Sequence, residues 1–194
     1  MKKIVLASGS ARRIELLKQW GVKFEVCPSG TDETTTLKKP SSIVKNLALK
    51  KALEVAQNPR FSKALIIAAD TIVVLNGRIV GKPANKRESK KIIEELNGSR
   101  HKVYTGVALV DCATKKQKAF YDIAIVKMRT LSAPELAKLF GKHLDKAGSY
   151  AAQDKGDNFV ESIRGDYYAV VGLPYKSLKK EIKKFGISLK SLKN

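Results

Sequence analysis

Acidic side chains are scarce in this 194-residue chain: 18 Asp and Glu stand against 38 Lys and Arg, a formal charge of +20. A field of that sign draws anions, among them nucleotides and nucleic acid. Cysteine is nearly absent. Cys27 and Cys112 stand far apart with no CxxC spacing, which excludes a disulfide framework and makes a reducing cytoplasm the expected compartment. The two histidines, His101 and His143, share no metal-ligand spacing, so zinc is not expected. No apolar run has the length of a membrane span, and the N-terminus lacks the apolar core of a signal peptide. Aromatic residues make up 7% of the chain and form no RNP-like platform. GxxxxGK[ST], GxGxxG and GxSxG are all missing, which removes the common phosphate-loop, dinucleotide and serine-hydrolase readings.

What is present is a hydrophobic fraction of 43% and alternating strand and helix patterns, with no repeat and no linker. Residues 1–194 therefore read as a single α/β domain. A strand over 3–7 leads to a helix over 11–20, closed by Gly21, and a short strand follows near 23–27. The polar loop "SGTDETTTLKKP" precedes a long helix over 42–57, with Ser41 or Ser42 as its candidate cap. "ALIIAADTIVVLNGRIVGKP" reads as a long buried strand, an Asn76-Gly77 hairpin turn and a return strand. A helix over 86–96 and strands near 102–110 and 119–130 come next. "SAPE" at 132–135 has the form of a capping box opening a further helix. A strand over 159–163 precedes "GDYYAVVGLP" and a terminal helix. Leu178, Ile182 and Phe185 repeat there at helical spacing, which predicts docking on a core beneath a solvated lysine face.

Several residues break their local pattern. Asp70 is the only charge between Leu65 and Leu75, and an ionised carboxylate in such a run needs a partner, hydrogen bonds or a metal. Lys51 falls on the apolar arc of its helix, between Leu47 and Val44; it either snorkels or supplies a point charge to the phosphate of an anionic ligand. Lys82 stands in Gly81-Lys82-Pro83, a loop stiffened by proline. Glu33 is either a solvated loop acid or a second oxygen donor, with Asp70, to a divalent cation. "LASGSARR" joins a strand end to a helix start and gathers Ser8, Ser10, Arg12 and Arg13 where helix N-termini favour anions. Two carboxylates, placed lysines and a basic helix start suit metal-assisted chemistry on a phosphate ester.

The segments "LASGSARRIELL", "TDE", "LALKKA", "AADTIVV", "GKP", "GSRHKVYTGVAL" and "KAGSYAAQ…GDYYAVVGLP" together resemble the Maf family of nucleoside-triphosphate pyrophosphatases, in order from about residue 4 to 186. The resemblance implies an elongated mixed β-sheet flanked by helices, the inosine-triphosphate-pyrophosphatase-like fold, with a central nucleotide cleft. It implies hydrolysis of a nucleoside triphosphate to monophosphate and pyrophosphate with a divalent cation, Mg²⁺ or Mn²⁺. Carried over by position, Asp70 is the proton acceptor and shares the metal with Glu33, while Lys82 joins them in catalysis. Ser8, Arg12, Arg13 and Lys51 surround the phosphates, and Thr71 and Gln153 bear on the substrate. Thr71 and Gln153 match the dTTP/UTP branch; the 7-methyl-GTP branch carries Gln and Glu at these positions. The chain departs from the family at Ala11 (usually Pro), Asp154 (usually Gly) and Ala169 (usually Asn). Two other readings compete: a nucleic-acid-binding module, motivated only by charge, and a nucleotide-binding regulator of septum formation without turnover. The resemblance favours a homodimer, and the charge leaves a monomer open.

Overall fold

The computed structural model describes residues 2–189, so the last five residues of the lysine-rich tail lie outside the described residues. One seven-stranded mixed sheet runs in the order β2-β1-β3-β5-β6-β7, with β4 beside β3. The strands are β1 (Ile4–Leu6), β2 (Glu25–Val26), β3 (Leu65–Leu75), β4 (Arg78–Val80), β5 (Arg100–Asp111), β6 (Gln117–Met128) and β7 (Val160–Arg164). The helices are α1 (Ala11–Gln19), α2 (Pro40–Ala56), α3 (Lys86–Leu96), α4 (Ala133–Ala137), α5 (Tyr167–Val171) and α6 (Tyr175–Lys183). Among the described residues no helix is long and apolar enough to cross a membrane.

Strand pairing explains where a cleft can form. β1 lies parallel to β2 and β3, whereas β3, β5, β6 and β7 pair antiparallel. On one edge of β3 the ladder with β1 ends at Leu6↔Ile67, and the ladder with β4 begins at Val73↔Val80. Residues 68–72 therefore have no strand beside them on that edge, although the other edge stays paired with β5 throughout. The hairpin that brings β4 back turns at Asn76 and Gly77, with φ of 49° and 80°, the double left-handed geometry that Asn-Gly favours.

Side-chain alternation sorts the core by face. Leu65, Ile67 and Ala69 of β3 pack with Leu17 and Trp20 of α1 and Leu178 and Ile182 of α6. The intervening Ile66 and Ala68 face Ala48, Ala52 and Val55 of α2. A third cluster, with Val73, Val103, Val126, Ile93, Leu96 and Phe159, fills the far end beneath α3. The predicted apolar stripe is buried, at Leu178 and Ile182 within α6 and at Phe185 just past its end. "SAPE" opens α4 as a capping box: the Ser132 N–H donates to the Glu135 carboxylate at 2.8 Å.

The cap of α2 differs from expectation. Lys39, not Ser41 or Ser42, occupies the N-cap, because Pro40 takes the first helical position, where its fixed φ fits and its missing N–H costs nothing. Both serines are thereby drawn into the first turn, and Ser41 is buried. α2 then crosses β5 at Gly106, where an added Cβ would fall 2.2 Å from the Val44 carbonyl oxygen. Helix backbone lies directly on strand backbone there.

Gly106→Ala is expected to lower stability by about 3 kcal/mol or more, as overpacking against immobile backbone does. Urea denaturation checks this; a loss under about 1 kcal/mol would mean that α2 can lift freely.

Candidate active site

The gap on the edge of β3 opens into a cavity of about 880 Å³. Its floor is Asp70, Thr71 and Ile72; the β1–α1 turn from Ala7 to Arg13 forms one wall, and Gly81 and Lys82 close the opposite end. Val73, Val80, Val103, Tyr150, Ala152 and Val170 make an apolar side. The lining thus combines charged groups with a cluster of apolar ones, as a ligand with a polyanionic and a flat organic part requires.

Asp70 and Thr71 are neighbours on β3 and point to opposite faces. Asp70 lies on the α2 side and is 6% exposed. Its Oδ1 accepts a hydrogen bond from Lys51 Nζ at 2.7 Å, and the same Nζ donates to Glu33 Oε1 at 2.7 Å. The Lys51 side chain is only 11% exposed. Lys51 runs along the apolar arc of α2, but its charge goes to two carboxylates of the chain itself and not to solvent. The Lys51 hydrogen bond holds the Glu33 carboxyl below its ordinary range, against a smaller opposing effect of burial. Two carboxylates already converging on one cation form a hard-oxygen donor set of the kind Mg²⁺ or Mn²⁺ takes.

Thr71 faces α1. Arg13 reaches across to it and is held on three sides: Nε donates to the Gly172 carbonyl at 2.9 Å, Nη1 to Ser8 Oγ at 3.1 Å and Nη2 to Thr71 Oγ1 at 3.1 Å. Burial pulls its pKa down to about 10, with the nearby Asp70 opposing that shift, so it stays protonated at neutral pH. Arg12 is less confined. It lines the cavity, and burial likewise lowers its pKa while Asp145 and Tyr150 act in the other direction. Ser10 occupies the N-cap of α1 but its side chain makes no capping bond; Ser8 accepts from the Ser10 N–H at 3.3 Å as well as from Arg13. The hydroxyl proton of Ser8 remains available to a ligand.

The structure therefore brings Ser8, Arg12, Arg13, Glu33, Lys51, Asp70, Thr71 and Lys82 around one cavity. Gln153 is not among them: it is exposed, and only Ala152 of that turn reaches the lining. The next residue explains why. Asp154 pairs with Lys142 at 2.9 Å and accepts from the Gly156 N–H at 3.2 Å, which ties the turn outward. Lys142 also binds Asp157, whose other oxygen meets His143 Nε2 at 2.7 Å. His143 thus joins two aspartates through the fold, where sequence spacing showed no ligand set, and Lys142 pairs with both of those aspartates.

Sequence reasoning missed Tyr150 and its partner. The Tyr150 ring lines the cavity, while its hydroxyl meets Nε2 of His101 at 2.7 Å. His101 is 2% exposed, and its Nδ1 has no hydrogen-bond partner. Burial lowers its pKa to about 4. The available signal was His101's place in step with the inward-facing Val103 and Thr105 of β5.

The fold and this cavity define a class, that of α/β proteins built around an anion-receptive cleft at an interrupted sheet edge. Within it the chain belongs to the Maf-like protein family, whose profile matches residues 3–185. It is 47% identical over 184 residues to the "dTTP/UTP pyrophosphatase" of Elusimicrobium minutum, covering 95% of this chain and 99% of that relative. It is 48% identical over 192 residues to the protein of the same name from Bacillus anthracis, covering 97% and 98%. Among solved structures, the Staphylococcus aureus Ham1 protein superposes with a TM-score of 0.55 at 14% identity, covering 95% of this chain and all (100%) of that one. That likeness bears on the fold, and it matches the sheet expected from sequence.

A buried histidine held neutral binds fewer protons in the folded than in the unfolded state, so its contribution to stability falls as pH drops from about 6.5 toward about 4. Thermal denaturation across that window is expected to show a shallower loss for His101→Gln than for the parent chain; equal slopes would place the pH dependence elsewhere.

Proposed function

We propose that the chain hydrolyses pyrimidine nucleoside triphosphates, dTTP and UTP, to the monophosphate and pyrophosphate. The observation that carries this reading is the meeting of Asp70, Lys51 and Glu33 with Arg12, Arg13 and Lys82 around a cavity whose lining also carries a cluster of apolar side chains. The names of the full-length relatives support the same substrate. The two free cysteines accord with a cytoplasmic setting.

In this reading the triphosphate lies against the start of α1, where first-turn N–H groups and the helix dipole favour anions. Arg13 offers a rigid guanidinium and Arg12 a more adaptable one, both in charge-assisted bonds to phosphate oxygens. Ser8 donates its free proton to the same group. Asp70 accepts a proton from the attacking water as its oxygen bonds to the α-phosphorus and the bond to the bridging oxygen breaks. Lys82 and Lys51 offset the charge that builds on the departing pyrophosphate. Asp70 and Glu33 would hold a divalent cation, which when bound supplies charge stabilisation at the phosphoryl oxygens. The base lies toward Tyr150 and the apolar side. A nucleic-acid module finds no comparable support, because the converging charges lie inside a cavity and not along a surface track.

Asp70→Asn is expected to reduce pyrophosphate release from UTP about 10³-fold, the usual scale for a lost general base, in chain that thermal melts show to be folded. Near-parent turnover in a coupled pyrophosphate assay would remove Asp70 from this role. Because Lys51 occupies the space between the two carboxylates, Lys51→Met is expected to tighten Mn²⁺ binding to the nucleotide-free protein about tenfold while lowering turnover. Titration followed by electron paramagnetic resonance of free Mn²⁺ measures this; unchanged affinity would separate the lysine from the metal site.

A further inference from the structure

Thr105 lies behind the cavity and makes no contact with its interior; it is fully buried (0% exposed). It stands directly opposite Thr71 in the β3–β5 ladder. Its Oγ1 is 2.7 Å from the Ala169 carbonyl oxygen and 2.9 Å from Thr71 Oγ1. Those distances fix the direction of every proton in the chain. A carbonyl can only accept, so Thr105 gives its single hydroxyl proton to Ala169. The Thr71–Thr105 bond must then use the proton of Thr71. Thr71 in turn accepts from Arg13 Nη2 at 3.1 Å. The result is a one-way series, Arg13 to Thr71 to Thr105 to Ala169, and it leaves Thr71 with no proton to give a ligand.

α5 provides both ends of the anchorage. Ala169 lies in the last turn of this five-residue helix, and Gly172 caps it, so their carbonyls belong to the set a helix terminus leaves without intrahelical donors. Thr105 satisfies the first and Arg13 Nε the second. The fit is close: a Cβ on Gly172 would lie 3.3 Å from Arg13 Nε and 3.4 Å from Thr71 Oγ1.

We propose that Thr105 is a positioning residue for phosphate binding, which orients the Thr71 hydroxyl and through it fixes the plane of the Arg13 guanidinium. Position 71 accordingly acts on the substrate through Arg13; its hydroxyl cannot donate to a nucleobase carbonyl or a phosphate oxygen. The two remaining N–H groups of Arg13, one on each terminal nitrogen, are those left for a ligand. This inference rests on the reading of the cavity as a nucleoside-triphosphate site.

The test compares Thr71→Val, Thr105→Val, Thr105→Ser and the double Thr71→Val/Thr105→Val chain, using UTP turnover and calorimetric binding of α,β-methylene-UTP. Thr105→Val is expected to weaken analogue binding and raise KM about tenfold with a smaller fall in kcat, and Thr105→Ser to restore most of the affinity. The double variant is expected to bind no more weakly than Thr71→Val alone, because both act through one series of bonds. Thermal melts show which chains are folded; if Thr105→Val is not, Thr105→Ser and Thr71→Val decide, with the serine near the parent and the valine weakened. Additive losses in the double variant, or an unchanged KM in folded Thr105→Val, would overturn the proposal. Parent chain that binds the analogue but releases no pyrophosphate from UTP would overturn the hydrolytic reading alone, since the binding comparison still tests the relay. Parent chain that binds no analogue overturns both.

Discussion

The interrupted edge of β3 is the constraint on which the rest of the structure depends. A strand edge without a neighbour exposes backbone donors and acceptors that a folded chain normally pairs or covers. Here β1 stops after three residues and β4 starts six positions further along β3, at Val73 after Ile67. The intervening edge becomes the floor of the cavity. The helix that follows β1 must then begin at the mouth of that gap, which brings Ser8, Arg12 and Arg13 to it without any long loop.

Alternation along the strand does the remaining sorting. Because consecutive side chains leave a strand on opposite faces, the adjacent Asp70 and Thr71 engage different layers: the acid meets Lys51 of α2 and the hydroxyl meets Arg13 of α1. Each layer also has its own buried apolar contacts with the sheet. The charged groups are thus held by packing that lies away from them. α2 is set against bare backbone at Gly106, and α1 is set through Trp20, Leu16 and Leu17. Buried ionic groups are weak contributors to stability on their own, so it is the apolar layers that give the site its fixed geometry.

Much of this was legible in the residues. Asp70 announced itself as a charge in an apolar run, and Lys51 as a cation on an apolar arc; each is the other's explanation. The positions of the long strands along the chain, and the hairpin at Asn76-Gly77, followed from their apolar runs and turn residues; the order of the strands in the sheet did not. Other features left no trace. Thr105 looks like any strand-forming residue, because a β-branched threonine suits a strand whether or not its hydroxyl is engaged. The pairing of His101 with Tyr150 joins residues 49 positions apart, a separation no local pattern reports. The outward set of Gln153 depends on Lys142 and Asp154, whose ion pair is a property of the folded loop. The cap of α2 falls at Lys39, two residues before Ser41, because Pro40 takes the first helical position.

Opposite faces for Asp70 and Thr71 carry an evolutionary consequence. A one-residue insertion or deletion in the first half of β3 would exchange their sides, presenting the hydroxyl to α2 and the carboxylate to α1, while the hydrophobic core on both layers inverted as well. The polar segment before α2, from Ser29 to Lys39, has no such parity to keep. Length changes should therefore be better tolerated in the stretches flanking Glu33, which must still reach Lys51, than within β3. The strand acts as the reading frame of the cavity.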